Sequence, residues 1–338
     1  MNRLLKKLAM AASLGMTLFI PISGATQGAA PMVKTAQNYI DAFRRGEDFS
    51  RPVEGLVRNY QVNKVALSVL TKELATGTPE VREKLVRLLE EMALEANAPD
   101  PTKFPVVQDP SIIKALLTEG FAKDDAGMDA AEMVLRHEVR PTDLAKYQDI
   151  YIKILGGPQA ISVLYLVAKA KVLQARNLVE KMAASPQFQD RQSVRIAQAA
   201  LGNTTVEDTF IAATREAEKN APPAPKNRFY DVGDAKDGKA LVEQLKLLGM
   251  IGTRRSLLVA CSYARSPLKT YLPDHWERSV RLDALGAIAY NFPDARVLVG
   301  IDNLQGYAAA ERFCTEHLGS VFEGPTPNLP GDMAYPSM

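Results

Sequence analysis

The amino-acid sequence predicts an all-α chain, built as an α-solenoid of about six stacked helix pairs. Three observations carry this expectation. Apolar residues recur at three- and four-residue spacing from about Pro52 onward, Gly, Pro and Asp turn signals separate the stripes, and Leu-Gly pairs punctuate the chain at intervals. Long strand-like alternation is absent, and short apolar runs such as Val163-Leu164-Tyr165 sit inside helical periodicity. With 338 residues, 46% of them hydrophobic, the chain holds enough apolar material for one large or two medium units.

The first clear stripe is Val65, Leu67, Val69, Leu70 and Leu74, and the second is Val81, Leu85, Leu88, Leu89 and Met92. Between them Thr78 suits an N-cap, Pro79 the first helical turn, and Glu80 the positive helix end. Two such helices joined by a tight turn cannot bury their stripes alone. A further pair is expected over 112–121 and 128–137, across the Lys123-Asp124-Asp125 turn. Helices follow over 144–155, ended by Gly156-Gly157-Pro158, then over 160–172, 173–182 and 192–201, the last closed by Gly202-Asn203.

The repeat signal lies in Leu155-Gly156, Leu201-Gly202, Leu248-Gly249, Leu285-Gly286 and Leu318-Gly319, separated by 46, 47, 37 and 33 residues. A period near 40 in helical text reads as stacked helix pairs, so each Leu-Gly is expected to end a helix. Val-Arg pairs open several of these segments: Thr78-Pro79-Glu80-Val81-Arg82, Ser193-Val194-Arg195 and Ser279-Val280-Arg281. In these motifs the chain resembles the HEAT-repeat family, including its phycobilin-lyase-type branch, most clearly over 239–319. The resemblance implies an α-solenoid whose usual work is protein binding or scaffolding. It also implies that Arg82, Arg195 and Arg281 pair with acids or carbonyls of neighbouring repeats.

Five segments are expected. Residues 1–25 form a signal peptide: Arg3, Lys6 and Lys7 lead a short apolar stretch from Leu8 to Ile22, and Ser23-Gly24-Ala25 supplies the small-residue cleavage site. The apolar stretch is shorter than the ~20 residues that span a bilayer, so no stable membrane span is expected after cleavage. Removing the leader, with three basic residues and no acid, takes the net charge from +2 to −1. Residues 26–220 form N-terminal helical repeats, 221–238 a Pro/Gly linker opening on Ala221-Pro222-Pro223-Ala224-Pro225, 239–320 the C-terminal repeats, and 321–338 an extended Pro-rich tail. Balanced charge without like-sign runs argues against nucleic acid. Export, with the periplasm as the expected destination, follows from the leader.

The catalytic signatures do not close. Gly233-Asp234-Ala235-Lys236-Asp237-Gly238-Lys239-Ala240 approaches a phosphate loop, but Ala240 stands where a hydroxyl is needed and two aspartates would repel phosphate. It reads instead as a polar loop capping the next helix. Of Cys261, His275, Cys314 and His317, the last two share a helix face, but Cys261 and His275 stand 14 apart and not as the close pair of a zinc site, so no metal or cofactor is expected. Cys261 and Cys314 lie on neighbouring repeats and read either as a disulfide or as two buried thiols. Asp274 is expected to cap a helix, with Trp276 against the adjacent repeat or at a binding surface. Arg254, Arg255, Trp276 and Arg278 are the candidate partner-binding residues. The expected function is a non-enzymatic scaffold or adaptor in the cell envelope that binds a protein or peptide. A cell-wall hydrolase on a helical scaffold and a self-associating structural protein are the alternatives.

Overall fold

The computed structural model describes residues 29–47, 64–85, 88, 110–121, 131–132, 135–136, 139–188, 191–224, 236–271, 277–292 and 304–328. The signal peptide expected at 1–25, the candidate Trp276 with Asp274 and His275, and the last ten tail residues lie outside this set. The described chain is mostly helical. Its helices are α1 (Ala29–Arg44), α2 (Lys64–Thr76), α3 (Pro110–Ala115, running on as a π-helix over Leu116–Phe121), α4 (Pro141–Leu144), α5 (Gln148–Leu155), α6 (Leu164–Ala170) and α7 (Arg176–Ala183). There follow α8 (Gln192–Ala200), α9 (Thr204–Lys219), α10 (Lys239–Ile251), α11 (Arg254–Ser262), α12 (Val280–Asn291) and α13 (Leu304–Leu318).

Local sequence explains the ends of these helices. Asn203 caps α9, its side chain accepting the Val206 N–H at 3.2 Å, and Lys219 sits in the last turn beside the negative helix end. Helix α9 goes beyond the elements predicted from apolar stripes, because its inward residues are Glu207, Phe210, Ile211 and Thr214, only two of them apolar. The Thr78 hydroxyl accepts the Val81 N–H at 3.4 Å, as its cap assignment requires. Ahead of α10, whose N-cap is Gly238, the Asp237 side chain accepts the Lys239 N–H at 3.0 Å.

Most packing among the described residues joins helices close in sequence, although α6 and α8 both also pack on α10. Helix α1 packs on α2 and α2 on α3; further along, α6 packs on α8, α8 on α9, α9 on α10, α10 on α11 and α12, and α11 on α12 and α13. One apolar cluster runs from Ala36 through Leu155 and Leu201 to Leu247, Leu248 and Ile251. A second gathers Leu241, Val242 and Leu245 with Tyr263, Val280 and Ala284, and a third gathers Leu257, Cys261, Leu285, Tyr307 and Cys314. Helix α10 therefore contributes one end to the first cluster and the other to the second.

Several expectations are corrected. The helix predicted over 144–155 starts at Pro141 and is broken by a 3-10 turn at Ala145–Tyr147. Only Leu164–Ala170 is α-helical within 160–172, and Lys171 closes it in the left-handed region at φ 52°. Gly202 and Gly319 end helices with positive φ, but Gly249 and Gly286 lie inside α10 and α12. A Cβ on Gly249 would stand 2.8 Å from the Ala287 Cα, so this glycine permits the close crossing of α10 and α12 instead of ending a helix. The left-handed cap of α10 is Gly252, at φ 59°.

The chain also carries a short antiparallel hairpin, β1 (Lys269–Tyr271) with β2 (Glu277–Ser279). Glu277 and Arg278 are strand residues, and α12 is capped by Ser279, whose side chain accepts from the Arg281 N–H. The ends of the expected linker are fastened: Asp237 N–H donates to Pro222 O at 2.8 Å and Gly238 N–H to Lys269 O at 2.7 Å. The helices on either side of this segment, α9 and α10, pack directly on each other, and residues 225–235 between its ends lie outside the described set.

Candidate binding surface

The predicted partner-binding arginines are brought to the C-terminal helices, each beside an internal acceptor. Arg254 and Arg255 occupy the exposed first turn of α11, where the helix dipole disfavours a cation. Arg254 offsets this by donating to Leu318 O at 2.9 Å, capping the end of α13, and Arg255 pairs with Asp208 on α9. Arg278, on β2, pairs with Asp283 at 3.2 Å. Burial raises the Asp283 carboxyl above its ordinary value despite that guanidinium. The three arginines are thus spread over three separate ion or carbonyl contacts and do not form one basic patch.

Beneath them lies a buried polar junction. The Glu207 carboxylate accepts the Ser256 hydroxyl at 2.7 Å and also the Thr253 hydroxyl, which in turn accepts the Ser256 N–H at 3.1 Å. Lys171 enters from α6 and its amine donates to Ile251 O at the end of α10. Burial lowers that amine to about 7, against the opposing influence of Glu207. Asn291 donates to Gly249 O at 2.6 Å. Nearby, Lys169 donates to Arg136 O and stands 4.8 Å from the Tyr290 ring, while Arg136 pairs with Glu132 at 2.9 Å. These contacts tie α6, α9, α10, α11 and α12 together.

The last described residues form a second construction. Arg265 closes the 3-10 turn after α11 and makes a bidentate pair with Glu311 on α13, at 3.0 and 2.8 Å. The same guanidinium donates to Glu323 O and, at 3.0 Å, to Gly324 O, with the Phe322 ring 5.1 Å from it. Thr326 completes the contact, donating to Glu311 at 2.8 Å. Arg281 is 1% exposed. It donates to Ala264 O at 2.9 Å and to Pro327 O at 3.4 Å, and its guanidinium lies 3.5 Å over the Tyr307 ring. Of the Val-Arg arginines, Arg281 meets a carbonyl of the turn after α11, Arg195 donates to the Thr209 hydroxyl on α9 at 2.8 Å, and Arg82 is buried.

Cys261 and Cys314 form a disulfide between α11 and α13, both side chains fully buried. Their sulfurs are therefore not available as thiolate ligands, and His317 stacks on Phe313 at 4.2 Å. Among the described residues no three His, Cys, Asp or Glu side chains are gathered to hold a metal. Sequence reasoning missed Arg265, Glu311, Glu207 and Lys171. Arg265 and Glu311 stand 46 positions apart on different helices, and no local pattern joins them. Chemically, this surface offers fixed guanidinium donors aimed at main-chain carbonyls beside apolar rings. No family model, curated protein or solved structure matches the chain.

Proposed function

We propose that the chain is an exported HEAT-like α-solenoid that serves as a scaffold or adaptor, binding a protein or peptide partner. The observation that carries this reading is the C-terminal surface, which holds extended polypeptide through arginines directed at backbone carbonyls. Serial packing of successive helices supports it, because stacked pairs build a long surface without long-range topology. Periplasmic delivery follows from the leader-like residues 1–25, and the exposed α11 arginines are contact candidates.

A photo-crosslinking residue placed singly at Leu173, Arg255 and Leu304, all exposed, tests the reading in the intact cell. Discrete adducts recurring at one or more of these positions are expected in the exported fraction. Their absence at all three positions would sink the adaptor assignment. The mass of the recovered chain tests the leader, with cleavage after Ala25 expected.

A further inference from the structure

The segment 320–327 lies on the C-terminal helices as a ligand lies on a receptor. Val321 is 88% exposed, and Glu323, Gly324 and Pro325 also face solvent. Only parts of it reach inward. Phe322 packs against the Cys261–Cys314 cluster and Thr326 reaches Glu311, while three carbonyls, of Glu323, Gly324 and Pro327, accept from Arg265 and Arg281. Carbonyl recognition of this kind does not depend on the side chains of the segment.

The receiving side is assembled by contacts that do not involve the segment. Arg265 is aligned by its bidentate bond to Glu311, and Arg281 by Ala264 O and the Tyr307 ring. A surface whose donors are already oriented loses little further freedom when an extended chain arrives. The disulfide beneath it fixes the spacing of α11 and α13.

From this we infer that the groove between Arg265, Arg281, Tyr307 and Glu311 is a peptide-binding site, occupied in cis by the chain's own residues 320–327. Its partner is an extended segment of another protein with the same chemistry: a bulky apolar ring, a Gly-Pro bend, and a Ser or Thr four residues after the ring. The inference rests on the peptide-binding reading above and names the site and partner class. The tethered tail has an effective concentration on the order of millimolar, so it holds the groove against weak competitors.

A labelled peptide reproducing residues 320–328 is the probe, read by fluorescence anisotropy against full-length chains. The chain carrying F322A and T326V is expected to bind it at least ten-fold more tightly than the unsubstituted chain. Adding R265A to that chain is expected to weaken binding at least ten-fold while the helical circular dichroism is retained. Equal binding by the first two chains, or indifference to R265A, would overturn the inference. Should a variant fail to fold, the unsubstituted chain suffices. Millimolar peptide is expected to move the Thr326 methyl resonance toward its free-chain position, and an unmoved resonance rejects the site. A chain that dimerises with rising concentration and is returned to monomer by the peptide would assign the groove to a second copy, overturning the foreign-partner assignment. Crosslinks at Arg255 or Leu173 without peptide binding would leave the adaptor reading standing and remove only this site.

Discussion

The carboxylate of Glu207, in the first turn of α9, accepts the hydroxyl of Ser256, in the first turn of α11, at 2.7 Å. Both residues are buried, and Thr253 completes the contact. The charge lies near two helix N-termini, where the aligned backbone dipoles favour an anion.

Removing it leaves the Thr253 and Ser256 hydroxyls without their acceptor. Glu207→Ala is expected to lower unfolding free energy by about 2–3 kcal/mol, and Ser256→Ala by about 1 kcal/mol. Urea denaturation of the two single variants and the double variant measures both. Strict additivity would argue that the pair is not coupled.

Lys171 gives a pH signature. Its amine titrates near about 7 when folded, against an ordinary value of 10.5, because burial disfavours the charged form. Between those values the unfolded chain holds the proton and the folded chain does not, so this group's contribution to stability rises with pH and is flat below the folded value. Relative to Lys171→Met, the native chain should gain stability from pH 7 to pH 10, at a ceiling of about 1.4 kcal/mol per pH unit set by one proton. Denaturation curves of both chains at unit steps of pH measure the difference. A difference that stays constant with pH rejects the burial of this amine.

The glycines separate packing from propensity. Gly249→Ala places a methyl group against the Ala287 backbone and should cost about 1–3 kcal/mol, because α10 and α12 must part. A Cβ added at Gly286 would meet no neighbouring element within 4 Å, so Gly286→Ala should stabilise by roughly 0.5–1 kcal/mol through helix propensity. Thermal melting of the two variants should move in opposite directions.

The disulfide closes a separation of 53 residues. On loop-closure entropy it is worth about 4 kcal/mol. Unfolding in urea with and without reductant should show a lower midpoint when reduced, and alkylation followed by mass measurement should find no free thiol in the oxidised chain. Two alkylated cysteines without reduction would refute the bridge.

What the sequence made legible was whatever had a local cause. The stripe of Leu70, Leu74, Val81, Leu85 and Leu88 is buried as its spacing requires, and Thr78 caps where its hydroxyl allows. The hairpin was not legible, since Lys269-Thr270-Tyr271 is too short to display alternation. Leu248-Gly249 and Leu285-Gly286 look like the helix-ending Leu201-Gly202, yet tertiary packing puts the first at a crossing and the second inside a helix. The candidate surface was partly legible. Arg254, Arg255 and Arg278 each turn to an internal acceptor that no sequence motif marks, and Arg265 and Glu311 meet only because α11 and α13 pack together.

Helix α10 has a practical consequence for anyone dissecting the molecule. Leu247, Leu248 and Ile251 complete an apolar wall begun by residues far upstream, whereas Leu241, Val242 and Leu245 complete another with partners downstream. Cutting at the proline-rich stretch around Pro222 would therefore not liberate two self-sufficient halves. Each fragment would show a raw, sticky face to water, and both should aggregate when expressed apart and recover solubility when produced together.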